Sequence, residues 1–234
     1  MHSLEDMVVS HPATPANQAE RPAGLVDARA TALAQHRYDR IAPIYDALEW
    51  MVEWRARRWR RELWSRVGAG RIIELGVGTG KNLRYYPPEQ EIVAMDLSEK
   101  MLARAQRRAD RIGARVRLEL GDVQELRYPD ASFDVVVATF LFCSVPDPLL
   151  GLAEARRVLV PGGRLLLLEH VLSHRPVLRR VMWWIDPVTS RIWGAHVDRD
   201  TVDNVRRAGF RDVVETDLWL DVVKRIEAVA PAST

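Results

Sequence analysis

Residues 72–80, Ile-Ile-Glu-Leu-Gly-Val-Gly-Thr-Gly, constrain the fold more than any other stretch of the chain. An apolar run with one acid, followed by glycines at 76, 78 and 80, predicts a buried parallel strand that ends in a tight turn. Glycine permits positive φ and removes the Cβ that would hold a ligand away from the backbone. A strand, glycine loop and helix in that order bind beyond the carboxyl end of the strand, at the switch point of an open α/β sheet. The spacing is G-x-G-x-G, unlike the G-x-G-x-x-G of pyrophosphate-binding dinucleotide sites. A nucleotide-like ligand is the expectation.

Glu91–Asp96 reads as the next strand and ends in an acid twenty residues after Gly76. An acid so placed can hold a ribose diol through both carboxylate oxygens. Ser98 fills the N-cap of the following helix better than Asp96 does, which leaves Asp96 for the ligand. Val116–Leu120 and Phe133–Thr139 predict the third and fourth strands, and Pro161-Gly162-Gly163 turns into a fifth over Arg164–His170. Helices are expected over Lys81–Tyr86, Ser98–Ile112, Pro146–Leu159 and Asp200–Ala208. Strands alternating with helices at this spacing mean a doubly wound, mostly parallel α/β sheet.

In order and spacing, Glu74–Gly80, Asp96 with Leu97-Ser98, Gly121-Asp122-Val123, Phe133–Thr139 and Leu159–Gly163 resemble the successive motifs of class I S-adenosylmethionine-dependent methyltransferases. The resemblance covers roughly residues 70–170. Within that superfamily the chain is most similar to the ubiquinone/menaquinone-biosynthesis methyltransferase-like group. That group includes bacterial phosphatidylethanolamine N-methyltransferases and membrane-associated thiol methyltransferases. Tyr38–Asp46 belongs to the same resemblance.

The resemblance implies a seven-stranded Rossmann-like sheet, closed by an antiparallel pair over Phe210–Thr216 and Leu220–Ala228. It also implies S-adenosylmethionine as cofactor and S-adenosylhomocysteine as product. Glu74, Gly76, Gly78 and Gly80 would hold the methionine part, and Asp96, with Leu97 and Met101 beside it, the ribose. Asp122 and the Val123 amide would read the adenine. Phe140 and Leu141 would border the adenine or the sulfur, and Tyr38 and Tyr45 would close the site. His170, at the tip of the fifth strand, and His196 are the titratable groups best placed for a general base; a histidine bonded to backbone is an equal reading of each. Cys143 reads as packing.

Two flanking segments bear on the acceptor. Ile44, Tyr45, Leu48, Met51, Val52, Ala56, Trp59, Leu63 and Val67 recur at helical spacing as one stripe within a 31–68 segment. The other side sets Trp50, Trp54 and Trp64 among Arg57, Arg58, Arg60 and Arg61. That pattern suits a helix lying in an anionic membrane interface, or a two-sided helix packed within the domain. Residues 171–199 mix Trp183, Trp184, Ile185 and Trp193 with arginines and read as a cap over the acceptor, or as a helical hairpin extending the core. Residues 1–30 lack a sustained period and are expected to form a flexible tail before a single domain over 31–234.

Composition narrows the classes. A net charge of +2 argues against a dedicated nucleic-acid binder. One cysteine fits a reducing compartment, and the scattered histidines lack zinc-site spacing, so no metal is expected. No apolar run approaches the ~20 residues of a membrane span, and no signal-peptide layout opens the chain. The expectation is a cytoplasmic enzyme, peripheral on the inner membrane face, with phosphatidylethanolamine N-methylation as the first specific reading. Quinone-precursor and small-thiol methylation are its rivals. A nicotinamide dehydrogenase is disfavoured by the glycine spacing. A non-catalytic ligand-binding or membrane-interaction module is the alternative outside enzymes.

Overall fold

The computed structural model describes residues 26–48, 50–182, 184 and 199–232. Its strands are β1 (Ile72–Leu75), β2 (Ile92–Asp96), β3 (Val116–Leu120), β4 (Phe133–Thr139), β5 (Leu159–His170), β6 (Arg211–Trp219) and β7 (Val223–Val229). Among the described residues they form one sheet in the order β3-β2-β1-β4-β5-β7-β6. β1 to β5 run parallel; β7 is antiparallel to both β5 and β6. This is the expected doubly wound α/β sheet with its closing antiparallel strand. The order reverses at β1, which puts the switch point beside the glycine loop.

The helices are α1 (Ala28–Leu48), α2 (Trp50–Trp64), α3 (Glu99–Ile112), α4 (Pro148–Val158) and α5 (Thr201–Arg207). Helix α3 shows why these segments start and stop where they do. Ser98 caps it by accepting from the Met101 N–H, and Gly113 ends it in the left-handed conformation at φ 64°. Met101, Ala105 and Ala109, one turn apart, are the face it buries. Asp147 caps α4 through the Leu149 and Leu150 amides, with Pro148 at the first turn, two residues later than the expected start.

Alternate residues of the central strands feed two core layers. Ile73, Leu75, Val136, Leu165 and Leu167 pack with Leu152 of α4 and Val205 of α5. Ile72, Ile92, Val135, Val137, Leu166 and Leu168 pack with Ala56, Trp59, Leu63 and Trp64 of α2. Both layers are mainly apolar because parallel strands are covered on both faces, and the α2 side also buries Glu74, Arg60, Asn82 and Thr139.

Several expectations need correction. The N-terminal segment is two helices rather than one continuous stripe, and α1 begins at Ala28, inside the stretch read as tail. Ile44 of the expected buried stripe is exposed. Trp64 and Arg60, assigned to the outward side of α2, are buried at 3% and 6% exposure. The reason is position: Arg60 follows Ala56 by four residues and precedes Leu63 by three, so it stands on the buried stripe. Trp64 lies against the Tyr86 ring, centroids 4.4 Å apart. Lys81–Tyr86 contains only a 3-10 turn at Leu83–Tyr85. Pro161–Gly163 does not precede β5 but lies within it, where the register with β4 shifts between Phe133 and Val135. Among the described residues no helix is long and apolar enough to cross a membrane.

Two of the four tryptophans of α2 give a direct check. Trp64→Ala should lower the unfolding free energy by about 3–5 kcal/mol, as large-to-small changes in a core do. Trp54, 74% exposed, should cost about 0.5 kcal/mol or less as Trp54→Ala. Equal losses in urea denaturation would reverse the facing of α2.

Candidate active site

A cleft of about 730 Å³, counting its open mouth, lies over the carboxyl ends of β1 to β4. That volume is in the range of small-molecule sites. Gly76 and Gly78 line it from the loop after β1, and Asp96 and Leu97 from the end of β2. Asp122 and Val123 enter after β3, Phe140 and Leu141 after β4. Met101 of α3 lies between them, and Tyr38 and Tyr45 of α1 complete the wall, ring centroids 6.5 Å apart. The structure thus brings together residues that are more than a hundred positions apart in sequence.

Gly78 adopts φ 55°, and a Cβ built on it meets nothing within 4 Å. It keeps an open backbone edge facing the cleft, which is what a close-lying ligand needs. Gly80 has a different use: a Cβ there would come within 2.6 Å of Leu83 and 3.1 Å of the Ala105 backbone. It is a packing glycine and does not line the cleft.

Asp96 is less available than the sequence implied. Its Oδ2 accepts the Gly78 N–H at 2.8 Å and its Oδ1 the Ser98 N–H at 2.9 Å. Each oxygen keeps lone-pair capacity toward the cleft. Burial raises its pKa to about 6 against the three backbone N–H groups that favour the carboxylate. Asp122 is also engaged: Oδ2 accepts from the Thr31 hydroxyl at 3.0 Å, and Gln124 donates to both oxygens.

Glu74 does not line the cleft. It is fully buried beneath the glycine loop, accepting from Tyr86 Oη and Asn82 Nδ2. Desolvation raises its pKa to about 7, despite those two bonds and the nearby Arg60. Arg60 Nη1 in turn donates to Asn82 Oδ1 at 3.0 Å and Thr139 Oγ1 at 2.8 Å. Its guanidinium lies 5.3 Å from the centre of the Phe140 ring.

Phe140 holds φ 54°, a conformation rare for a bulky residue and concentrated at functional sites. Glu169 sustains that turn. Its Oε1 accepts the Leu141 and Phe142 amides at 2.9 and 3.1 Å, and burial raises its pKa to about 7. His170 does not line the cleft, but its ring stacks on Phe140 with centroids 4.7 Å apart. His196 lies outside the described residues. Among the described residues no cluster of His, Cys, Asp or Glu could hold a metal ion.

Sequence reasoning missed Arg60, Asn82 and Glu169. An acid closing the apolar run Leu165–Leu168, like Glu74 in Ile72–Leu75, was the available signal for Glu169.

Comparison with known proteins settles the class. A family model described as a methyltransferase domain matches residues 73–167. The demethylmenaquinone methyltransferase of Thermus thermophilus is 35% identical over 68% of this chain and 79% of its own length. The chain belongs to the S-adenosylmethionine-dependent methyltransferases. The Deinococcus radiodurans demethylmenaquinone methyltransferase is 40% identical over 58% of this chain. The Cereibacter sphaeroides phosphatidylethanolamine N-methyltransferase is 39% identical over 47%. The matches span 59% and 57% of those two relatives. In fold, this methyltransferase is similar to a Thermotoga maritima structure described as a SAM-dependent methyltransferase, at TM-score 0.66 and 22% identity. That likeness covers 83% of this chain and 99% of the other. The residues present fit the cofactor: an open glycine edge, a carboxylate at the end of β2, and Leu97, Met101 and Val123 as apolar walls.

Two outcomes follow. Glu74 and Glu169 bind more protons folded than unfolded between their ordinary carboxylate range and about pH 7. Their contribution to stability is therefore present below that window and lost as pH rises through it. Thermal unfolding of the methyltransferase should show stability falling across this window, with a shallower slope in Glu169→Gln; an unchanged slope would remove Glu169 from the account. Asp96→Ala should weaken S-adenosylhomocysteine binding by about 1.5–3 kcal/mol, the worth of hydrogen bonds to a charged group. Wild-type affinity, read by calorimetry, should fall as pH drops below about 6 and Asp96 protonates. Asp96→Asn should lose that dependence, and undiminished affinity in Asp96→Ala would refute the ribose role.

Proposed function

We propose that this methyltransferase acts on a lipophilic or amphiphilic acceptor at a membrane surface, with a phospholipid amine headgroup as the first specific substrate. The observation that carries the reading is the aromatic and apolar wall around the cleft: Tyr38, Tyr45 and Phe140, with Val145 and Pro146 beside them. Exposed Trp54, Val177, Val181 and Trp184, set among exposed Arg57, Arg58, Arg179 and Arg180, support contact with anionic lipid. In this reading residues 31–234 form one domain and α1 flanks the cleft entrance, while most of the expected 171–199 cap lies outside the described residues.

S-adenosylmethionine supplies an activated methyl group, so the chain's work is alignment and exclusion of water. Asp96 receives the ribose, Asp122 and the Val123 amide the adenine, and the glycine loop the methionine part. Tyr38 and Tyr45 close over the acceptor. A neutral amine attacks without a base once deprotonated, whereas a thiol or phenol benefits from one. In this reading the amine needs no base, and His170, which lies against Phe140 and does not line the cleft, positions that ring.

A quinone ring is the second reading, favoured by the two relatives named demethylmenaquinone methyltransferase. The same apolar cleft serves it without a membrane-docking surface. Incubation with labelled S-adenosylmethionine and separate pools of phosphatidylethanolamine liposomes, demethylated quinones and small thiols distinguishes them. Label in the phospholipid is the expected outcome. Label confined to quinone or thiol would replace the headgroup by that acceptor, and no label in any pool would favour a binding module.

A further inference from the structure

A second groove shares no lining residue with the cofactor cleft. It lies among α1, α2, α3 and residues 81–84, and its walls are Arg57, Lys81, Arg84, Arg108, Trp54 and two acids, Asp46 and Glu53. The charge there is unbalanced. Arg104 and Arg108 both reach the same oxygen of Asp46, at 3.1 and 2.8 Å. Lys81 stands 3.8 Å from Asp46 and 3.5 Å from Glu53, with its ammonium 5.2 Å from the centre of the Tyr45 ring. Asp46 is ionised: burial works against its charge, but the Thr79 hydroxyl and these cations outweigh it and hold its pKa below the usual range. Arg57 and Arg84 are exposed, and no hydrogen bond or ion pair engages either one among the described residues. Among the described residues, four lining cations (Arg57, Lys81, Arg84 and Arg108) against two carboxylates leave a positive surplus around one concave surface.

Such a surplus focuses field and concentrates anions. Guanidinium groups prefer planar, two-point recognition of oxyanions, and an ammonium adds a point charge. Trp54, 74% exposed on the wall of the groove, offers an apolar face beside the cations. We infer that this groove binds a phosphate group, with Arg57 and Arg84 as its two uncommitted ligands, Lys81 as the third charge, and Trp54 against the organic part of a phosphate ester. Nothing in that function depends on methyl transfer or on the identity of the acceptor.

Phosphorus NMR and calorimetry on the full chain with inorganic phosphate, and flotation with phosphatidylglycerol vesicles, test it at an ionic strength matched with potassium chloride. The expected result is saturable binding of at least one probe. That binding should weaken at least tenfold in Arg57→Gln/Arg84→Gln while S-adenosylhomocysteine affinity stays unchanged. The paired Arg57→Lys/Arg84→Lys variant should retain most of it, because charge survives. Saturable binding of inorganic phosphate would make the free anion sufficient; binding of vesicles alone would identify the lipid headgroup as the source. No binding of either probe, or equal loss with matched chloride, or equal affinity in the double Gln variant, would overturn the inference.

Discussion

A carboxylic acid within one of the inner strands dictates much of what surrounds it. Glu74 is fully buried in β1, and an unpartnered carboxylate there would be destabilising by several kcal/mol. The solution is a polar network: Tyr86 and Asn82 donate to Glu74, Arg60 donates to Asn82 and Thr139, and Arg60 Nε faces Glu53 at 3.5 Å. The Asn82 amide is oriented by its neighbours, oxygen to the guanidinium and nitrogen to the carboxylate. Because Arg60 belongs to α2, that helix must dock with this face inward. The same guanidinium lies against Phe140, so one buried charge ties the floor of the glycine loop to the strained turn after β4. Glu169 completes the arrangement from β5 by accepting the amides of that turn. Two buried acids on different strands thereby hold the loops that wall the cleft.

Helix α1 adds a second layer of constraint at the carboxyl ends of the strands. Asp46 accepts from Thr79 after β1, Asp39 from Ser98 after β2, and Thr31 donates to Asp122 after β3. One helix therefore touches each of three successive ligand loops with a polar side chain. Its apolar support is slight, chiefly Ile41 and Ala42 against Met101. Contacts of this kind hold by hydrogen-bond geometry and charge more than by buried area.

The parallel sheet, its strand ends and the acid at the tip of β2 were legible in the sequence because they follow from short-range signals: apolar runs, glycines at fixed offsets, a cap such as Ser98; Asp122 was marked only by the family resemblance. Those signals say where a chain bends and what it buries. They do not say which partners a buried acid will find. Asn82, Tyr86 and Arg60 reach Glu74 from the chain beyond the loop and from α2, and only the fold brings them together. The same blindness left Asp96 and Asp122 looking uncommitted, when backbone amides and Thr31 already use part of each.

The facing of α2 changes what a membrane could do with it. A helix lying flat in an interface must offer the lipid a continuous apolar face. Here that face is spent: Ala56, Trp59, Leu63 and Trp64 are in the core, and Arg60 is beneath the cleft. Among its described side chains α2 keeps outside Trp54 with Arg55, Arg57, Arg58 and Arg61, one ring among charges. Such a surface can rest on headgroups by its edge, one indole at the interface and guanidinium groups on phosphates, without the helix entering the acyl region. Its attraction would be mainly electrostatic and would fade with salt over the Debye length. Among the described residues, Val177, Val181 and Trp184 are exposed apolar residues of a second arginine-bearing segment able to supply an apolar share of binding.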